Sequence, residues 1–92
     1  MLISLVQIKR SPAGSYHLES VYVNPKHVVM LREDQTTKRA LNEGKIDLPI
    51  NVSAEFTKLV IHAETTTEIT VIGSPQIIES KFFQKNKMLL KD

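Results

Sequence analysis

Four consecutive residues, Asn24-Pro25-Lys26-His27, combine groups that can bind a nucleic acid. Asn24 offers a hydrogen-bonding amide beside the fixed backbone of Pro25, and the next two residues add groups that can carry charge or stack. Such groups can contact a phosphate backbone or an unstacked base of single-stranded RNA. The alternative is that the four residues only form an Asn-Pro turn between two strands. Asn24, Lys26 and His27 are therefore candidate RNA-binding residues.

Basic residues elsewhere in the chain could extend this site. The C-terminal stretch alternates Lys81 and Lys85 with two phenylalanines, and cations beside aromatic rings suit single-stranded nucleic acid. The alternative is a packed phenylalanine pair with a solvated fringe of lysines. Arg32, together with Lys38 and Arg39, forms a second basic group beside a long polar stretch. Arg32, Lys81 and Lys85 therefore join the candidate RNA-binding residues.

No constellation typical of catalysis or of a metal site is visible in the sequence. His17, His27 and His62 lack the spacing of metal ligands, although His27 and His62 could approach each other on paired strands. Glu64 and Glu68 flank a predicted hairpin turn, where solvated carboxylates are expected. There is no nucleophile motif and no glycine-rich phosphate loop. We therefore expect no enzyme, no cofactor and no bound metal.

Size and composition describe one small domain, residues 1–92. The hydrophobic fraction of 41% is typical of a globular protein, and the absence of cysteine fits a reducing compartment. The net charge of +2 permits nucleic-acid binding without requiring it. The chain contains no apolar run of about 18 residues, and its first residues are apolar before they are basic, the reverse of a secretory signal. The sequence therefore predicts a cytoplasmic protein that does not enter a membrane.

Five strands are predicted from alternating apolar residues between turn-forming clusters. They cover residues 2–8, 16–23, 27–33, 56–63 and 68–72. Between the third and fourth strands lies a long polar excursion, residues 34–53, in which residues 46–50 could add a short edge strand. Residues 76–83 suit either a helix that begins after Ser74-Pro75 or a sixth strand, and the cap favours the helix.

Several of these strands carry apolar residues on both faces. In the first strand, Leu2, Val6 and Ile8 face one way while Ile3 and Leu5 face the other. A small barrel can bury only its inner set, and one short helix cannot cover the whole of the outside. We therefore predict a homo-oligomer that is joined through strand edges, where a second subunit covers the remaining apolar surface.

Three segments carry a resemblance to a known family. They are Tyr22-Val23-Asn24-Pro25-x-x-Val28, Phe56 to Ile61 and Glu68 to Ser74. In this combination the chain resembles the Sm-like (Lsm/Hfq-type) small β-barrels, including bacteriophage Sm-like proteins and the FlbD-like family of flagellar operons. The segment that ends at Gly73 is similar to the second Sm motif, with Ile72 in place of the motif's arginine. The N-terminal helix of typical Sm proteins has no counterpart here.

The resemblance implies a fold and a mode of action. It implies an all-β, strongly bent, five-stranded antiparallel Sm-like or SH3-like barrel, here with a short C-terminal helix and a long loop between strands 3 and 4. It also implies a homo-oligomeric ring, which we expect to contain five to seven subunits, and single-stranded RNA bound near the pore. Asn24, His27 and Gly73 occupy the positions of the family's loop residues, which adds Gly73 to the candidate RNA-binding residues.

Two functions follow from the sequence. The first is an oligomeric Sm-like protein that binds single-stranded RNA. The alternative is a protein-interaction or structural module of the same fold that binds no nucleic acid. The low net charge and the isoleucine at position 72 favour this alternative.

Overall fold

The computed structural model describes residues 2–51 and 53–91, with side chains described up to residue 83. Within these residues there are five strands, two α-helices and one short 3₁₀ turn, Pro25–His27. The strands are β1 (Ile3–Arg10), β2 (Tyr16–Val23), β3 (Val28–Glu33), β4 (Phe56–His62) and β5 (Thr66–Ile72). The helices are α1 (Gln35–Asn42) and α2 (Pro75–Lys91).

The five strands form one antiparallel sheet in the order β2-β1-β5-β4-β3. The predicted five-stranded antiparallel sheet is thus confirmed. The sheet is not closed, because β2 and β3 are its two edges and do not pair with each other, although only the 3₁₀ turn separates them along the chain. In this order strands that are consecutive in the chain lie side by side, and β5 lies beside β1. The one consecutive pair that is not adjacent is β2 and β3. At its centre, β1 meets β5 at two positions only, Gln7 opposite Val71 and Ile8 opposite Thr70.

One face of the sheet, the core face, carries the main hydrophobic core. Along β1, Ile3, Leu5 and Gln7 are buried and alternate with exposed residues, as a strand with one covered face requires. Helix α2 packs on this face through Ile78 and Phe82. The core cluster consists of Ile3, Leu5, Val23, Leu59, Val71, Ile78 and Phe82. Burial of these side chains, worth roughly 1.5–3 kcal/mol each, holds α2 against the sheet.

The opposite face, the outer face, is covered over part of its area by α1 and the segment that follows it. Strand alternation places Phe56 and Val60 of β4 on this face, and both are buried although they lie outside the main core cluster. Helix α1 contacts β4, and Leu41, Ile46 and Leu48 are also buried. Over β1 and β2 the outer face stays open: Leu2 is 59% exposed and Tyr22 65% exposed, in accord with the apolar residues that the sequence places on both strand faces.

The segment between β3 and β4 differs from the predicted loop. Residues 35–42 form α1, and residues 46–50 form no strand. The helix begins at Asp34, whose carboxylate accepts hydrogen bonds from the N–H and the hydroxyl of Thr37 at 3.0 and 2.8 Å. Sequence periodicity missed α1 because only one of its residues, Leu41, is buried. Burial of Ile46 and Leu48, without strand pairing, explains their alternation.

The C-terminal helix is confirmed in preference to a sixth strand, but it is longer than predicted. Helix α2 has 17 residues, not the eight of the predicted range 76–83. Pro75 occupies its first position, and the Ser74 hydroxyl accepts a hydrogen bond from the N–H of Ile77 at 3.3 Å. Gly73, with φ of +126°, makes the turn that leads into the helix. Strands make up most of the regular structure, and with two helices beside the sheet the chain has a small β-rich fold.

Candidate functional site: a groove beside the open edge of the sheet

The turn between β2 and β3 has a defined internal structure. The side-chain oxygen of Asn24 accepts a hydrogen bond from the N–H of Lys26 at 3.0 Å, and its carbonyl accepts one from the N–H of His27 at 2.9 Å. Asn24 therefore caps the 3₁₀ turn, with its acceptor directed at its own backbone. The side chains of Lys26 and His27 are exposed, and they are the groups of this turn that a ligand can reach.

A histidine contact ties this turn to the far end of the β4–β5 hairpin. Nδ1 of His27 lies 3.2 Å from the carbonyl oxygen of His62, and Nδ1 of His62 lies 3.0 Å from the hydroxyl of Thr66. His27 and His62 are thus neighbours, as their predicted strand positions allowed. The contact is between a ring and a backbone carbonyl, so it positions the turn and does not form a pair of metal ligands.

The other sequence-predicted RNA-binding residues lie elsewhere. Gly73 is at the opposite end of the β4–β5 hairpin, where its N–H donates to the carbonyl of Glu55 at 2.8 Å. The length of β4 puts about 20 Å between this point and the His27 end. Arg32 lies on β3 opposite Lys58, and Lys81 is exposed on α2. The side chain of Lys85 lies outside the described residues. Of the six candidates whose side chains the structure describes, three lie together: Asn24, Lys26 and His27.

A groove of about 800 Å³ lies next to the three clustered residues. Asn24 and His27 form part of its wall. Its apolar lining comes from four strands: Ile8 of β1, Val21 and Val23 of β2, Ile61 of β4 and Ile69 of β5. The groove exists because β2 and β3 do not pair and β1 meets β5 at only two positions. No local sequence pattern marks such a site, since its residues belong to distant segments.

The charges around the groove are mixed in sign. Lys9 and Glu68 both line it. On β2, the carboxylate of Glu19 lies 3.9 Å from Nζ of Lys9 and 3.4 Å from Nε2 of His17. These side chains are about half exposed, so solvent screens the pairs and each contributes little to stability. The surface beside the groove therefore offers partners for both signs of charge.

Asp34 is a buried carboxylate on the outer face, and it does not itself line the groove. Burial raises the pKa of Asp34, but hydrogen bonds from Thr37 and Thr70 and the charge of Lys58 outweigh burial and hold this pKa below its ordinary value. The Thr70 hydroxyl donates at 2.9 Å, which connects the start of α1 to β5. With every partner supplied by the protein itself, Asp34 is a structural cap. Its spacing of three residues from Thr37 is the sequence signal that predicts this role.

Three further findings concern metal sites, membrane-spanning helices and similarity to known proteins. Among the residues that the structure describes, no three histidine, aspartate or glutamate side chains are grouped so as to hold a metal ion. Within the same residues, no helix is long and apolar enough to cross a membrane. Comparison of the chain with family models, with curated proteins and with solved structures finds no match. The chemistry of the groove and of the strand edges is thus the basis for a functional proposal.

Proposed function

We propose that this protein is a binding module that holds an extended, apolar segment of another protein in the groove bordered by β1, β2, β4 and β5. The groove itself carries the proposal: its volume of about 800 Å³ lies in the range of pockets that enclose a ligand of several side chains. Half-buried Val21, Ile61 and Ile69 line it, and a ligand side chain placed there would complete their burial.

The charges favour a polypeptide as the occupant. A nucleic acid requires several cations along its path, because each contacted phosphate is neutralised by a lysine or arginine. The groove has Lys9 and Glu68 together, and the chain as a whole carries a net charge of only +2. An extended peptide with alternating apolar residues and one charge of either sign matches this lining better than a polyanion does.

Single-stranded RNA is the second candidate, and one observation supports it. Lys26 and His27 are exposed, and His27 forms part of the groove wall together with Asn24. A cation and a ring at the mouth of a groove could hold a phosphate and a stacked base. The Sm-like assignment and the ring of five to seven subunits stay predictions, and the two unpaired edges, β2 and β3, support an assembly of this kind.

A peptide selection followed by NMR mapping tests the first candidate. A random 12-residue peptide library is selected against the protein, and the selected peptide is titrated into ¹⁵N-labelled protein. We expect a dissociation constant of about 100 μM or tighter and amide shifts concentrated at Lys9, Val21 and Ile69. Ala63→Trp, which fills the groove, should weaken binding at least about tenfold, since the ring would occupy the volume of a ligand side chain.

The matched control and the RNA arm separate the two candidates. Ala13→Trp places the same ring in the exposed β1–β2 loop, outside the groove, and should leave peptide binding unchanged. Uridine-rich and adenine-rich oligomers are titrated at two salt concentrations with Lys26→Glu and, as control, the exposed Lys45→Glu. Salt-sensitive RNA binding that only Lys26→Glu removes, without peptide shifts in the groove, would replace the first candidate by the second.

A further inference from the structure

Strand β2 presents an unusually regular free edge. Its eight residues pair with β1 in an uninterrupted register, and no other strand of the described part of the chain pairs with its second edge. Natural edge strands are normally blunted by proline, lysine or a bulge. The other edge strand, β3, has a register shift between Val28 and Met30, whereas β2 has no proline, no lysine and no irregularity. The β2 edge is therefore suited to pairing with another strand.

The sequence of β2 is complementary to itself in one antiparallel register. When two copies pair about a two-fold axis, one residue of the strand lies opposite its own copy. With Leu18 at this position, His17 lies opposite Glu19 of the partner subunit, and Glu19 lies opposite the partner's His17. An imidazole N–H can donate a hydrogen bond to a carboxylate across an antiparallel pair, and here the favourable pair occurs twice.

The neighbouring registers lack this match. With Glu19 at the axis, two carboxylates face each other, and with His17 at the axis, two imidazoles do. With Ser20 at the axis, Glu19 and His17 lie opposite Val21 and Val23 of the partner subunit, which leaves both polar side chains beside apolar groups. The choice of Leu18 is therefore set by the positions of His17 and Glu19 on β2.

The two faces of the sheet support the same register. On the outer face, Ile8 lies opposite Leu18 in the β1–β2 pair, and both side chains are half-buried. A partner's Leu18 beside Leu18 extends them into a row of four apolar residues across both subunits. On the core face, Lys9 lies opposite His17. In the dimer His17 lies opposite the partner's Glu19, so a cation, an imidazole and a carboxylate form one row across the two subunits.

We infer that two copies of this chain pair through residues 16–20 of β2, antiparallel and centred on Leu18, into a closed dimer with a continuous ten-stranded sheet. The two-fold axis uses the same surface on both copies, so the assembly ends at two and does not grow along the edge. The dimer does not depend on a ligand in the groove, and it is an alternative to a ring in which β2 of one copy meets β3 of the next.

Two charge-reversed variants test the partner, the strand and the register together. His17→Glu puts a carboxylate opposite the partner's Glu19, and Glu19→Lys puts an ammonium opposite the partner's His17. We expect wild type to sediment at twice the monomer mass at 100 μM and each variant alone to dissociate at least about tenfold more readily. An equimolar mixture of the two variants should form a heterodimer, because each altered residue then faces an opposite charge.

The controls carry the same charge changes at exposed positions outside β2. Gln35→Glu and Glu64→Lys, at exposed positions outside the groove, should remain dimeric, and amide spectra of all variants should show a folded protein. A wild-type monomer at 100 μM, or a ring of five to seven copies, overturns the dimer. Variants that stay dimeric overturn β2 as the interface, and variants that are monomeric both alone and when mixed overturn the register centred on Leu18.

Discussion

At the residue scale, Asp34 joins three parts of the molecule. Its carboxylate accepts hydrogen bonds from Thr37 at the start of α1 and from Thr70 on β5, and it lies close enough to Lys58 on β4 to sense that charge. A buried carboxylate with all its partners in place stabilises a fold, whereas removal of a partner leaves a desolvated group unsatisfied. Asp34 therefore fixes α1 over the outer face of the sheet.

The lowered pKa of Asp34 predicts acid sensitivity. Because this pKa is lower in the folded than in the unfolded protein, the carboxylate stabilises the fold above the unfolded-state pKa, near 3.9, and the contribution is lost as pH falls through the folded pKa. Oδ1 of Asp34 accepts from the Thr37 N–H and Oδ2 accepts from both threonine hydroxyls, so Asp34→Asn, with one acceptor oxygen, can keep one of these two sets but not both. We expect it to lower the free energy of unfolding by about 1 kcal/mol at pH 7.

Urea denaturation at pH 7 and at pH 3 measures both effects. Between the two pH values, wild type should lose more stability than Asp34→Asn, since the variant has no carboxylate to protonate at this position. Asp47→Asn, at an exposed aspartate, is the matched control and should follow wild type. Equal acid dependence of wild type and Asp34→Asn would refute the assigned role.

At the element scale, α2 stabilises the sheet through one of its faces. Adjacent isoleucines distinguish its two sides: Ile78 is 0% exposed within the core cluster, and Ile77 is 55% exposed. The turn at Gly73 is adapted to this packing, because a Cβ on that residue would lie 3.1 Å from Cδ1 of Ile78. The helix therefore covers one end of the core face, and the groove is left at the other end.

Alanine substitutions at these two neighbours should differ widely in effect. Ile78→Ala removes buried methyl groups and leaves a cavity, so we expect a loss of about 2–4 kcal/mol in the free energy of unfolding. Ile77→Ala makes the same chemical change on the exposed side and should cost less than about 1 kcal/mol. Thermal and urea unfolding measure both, and similar losses for the two variants would contradict the observed packing of α2.

At the scale of the whole molecule, the sheet consists of two parts with a narrow junction. The β1–β2 pair spans eight positions and the β4–β5 pair seven, but β1 and β5 meet at two. Residues of both parts enter the same core, and α2 packs against them. The junction is thus the weakest point in the backbone hydrogen bonding of the sheet, and the side-chain core compensates for it.

Native-state hydrogen exchange should detect this division. We expect the amides of β1 and β2 to exchange with a shared opening free energy that is lower than the opening free energy of the Leu59 amide in β4, because the β1–β2 hairpin can separate by breaking few backbone bonds. Exchange is followed by NMR on the Glu19→Lys variant, at a concentration at which sedimentation shows a monomer, so that pairing between subunits does not protect β2. A single opening free energy for all five strands would indicate one cooperative unit instead.

Local sequence signals determined the five strands and the start of the C-terminal helix. Alternation of apolar residues, the turn at Asn24-Pro25 and the cap at Ser74-Pro75 are properties of a few adjacent residues, so the sequence alone reveals them. The clustering of Asn24, Lys26 and His27 was predictable for the same reason, since the three share one turn. Helix α1 was missed because its mean hydropathy is low and Leu41 is its one buried residue, so few apolar residues mark its covered face.

Tertiary structure alone decided which strands are neighbours and what stays open between them. Side-chain alternation indicates which face of a strand is covered. The backbone hydrogen bonds of a strand, however, are made to segments distant in the chain, and the sequence of the strand does not identify those segments. The unpaired edges of β2 and β3, the groove between Val21 and Ile69, and the separation of Gly73 from His27 all follow from this pairing. The sequence determined that strands and two-sided apolar surfaces exist, and the pairing of those strands decided where a partner can bind.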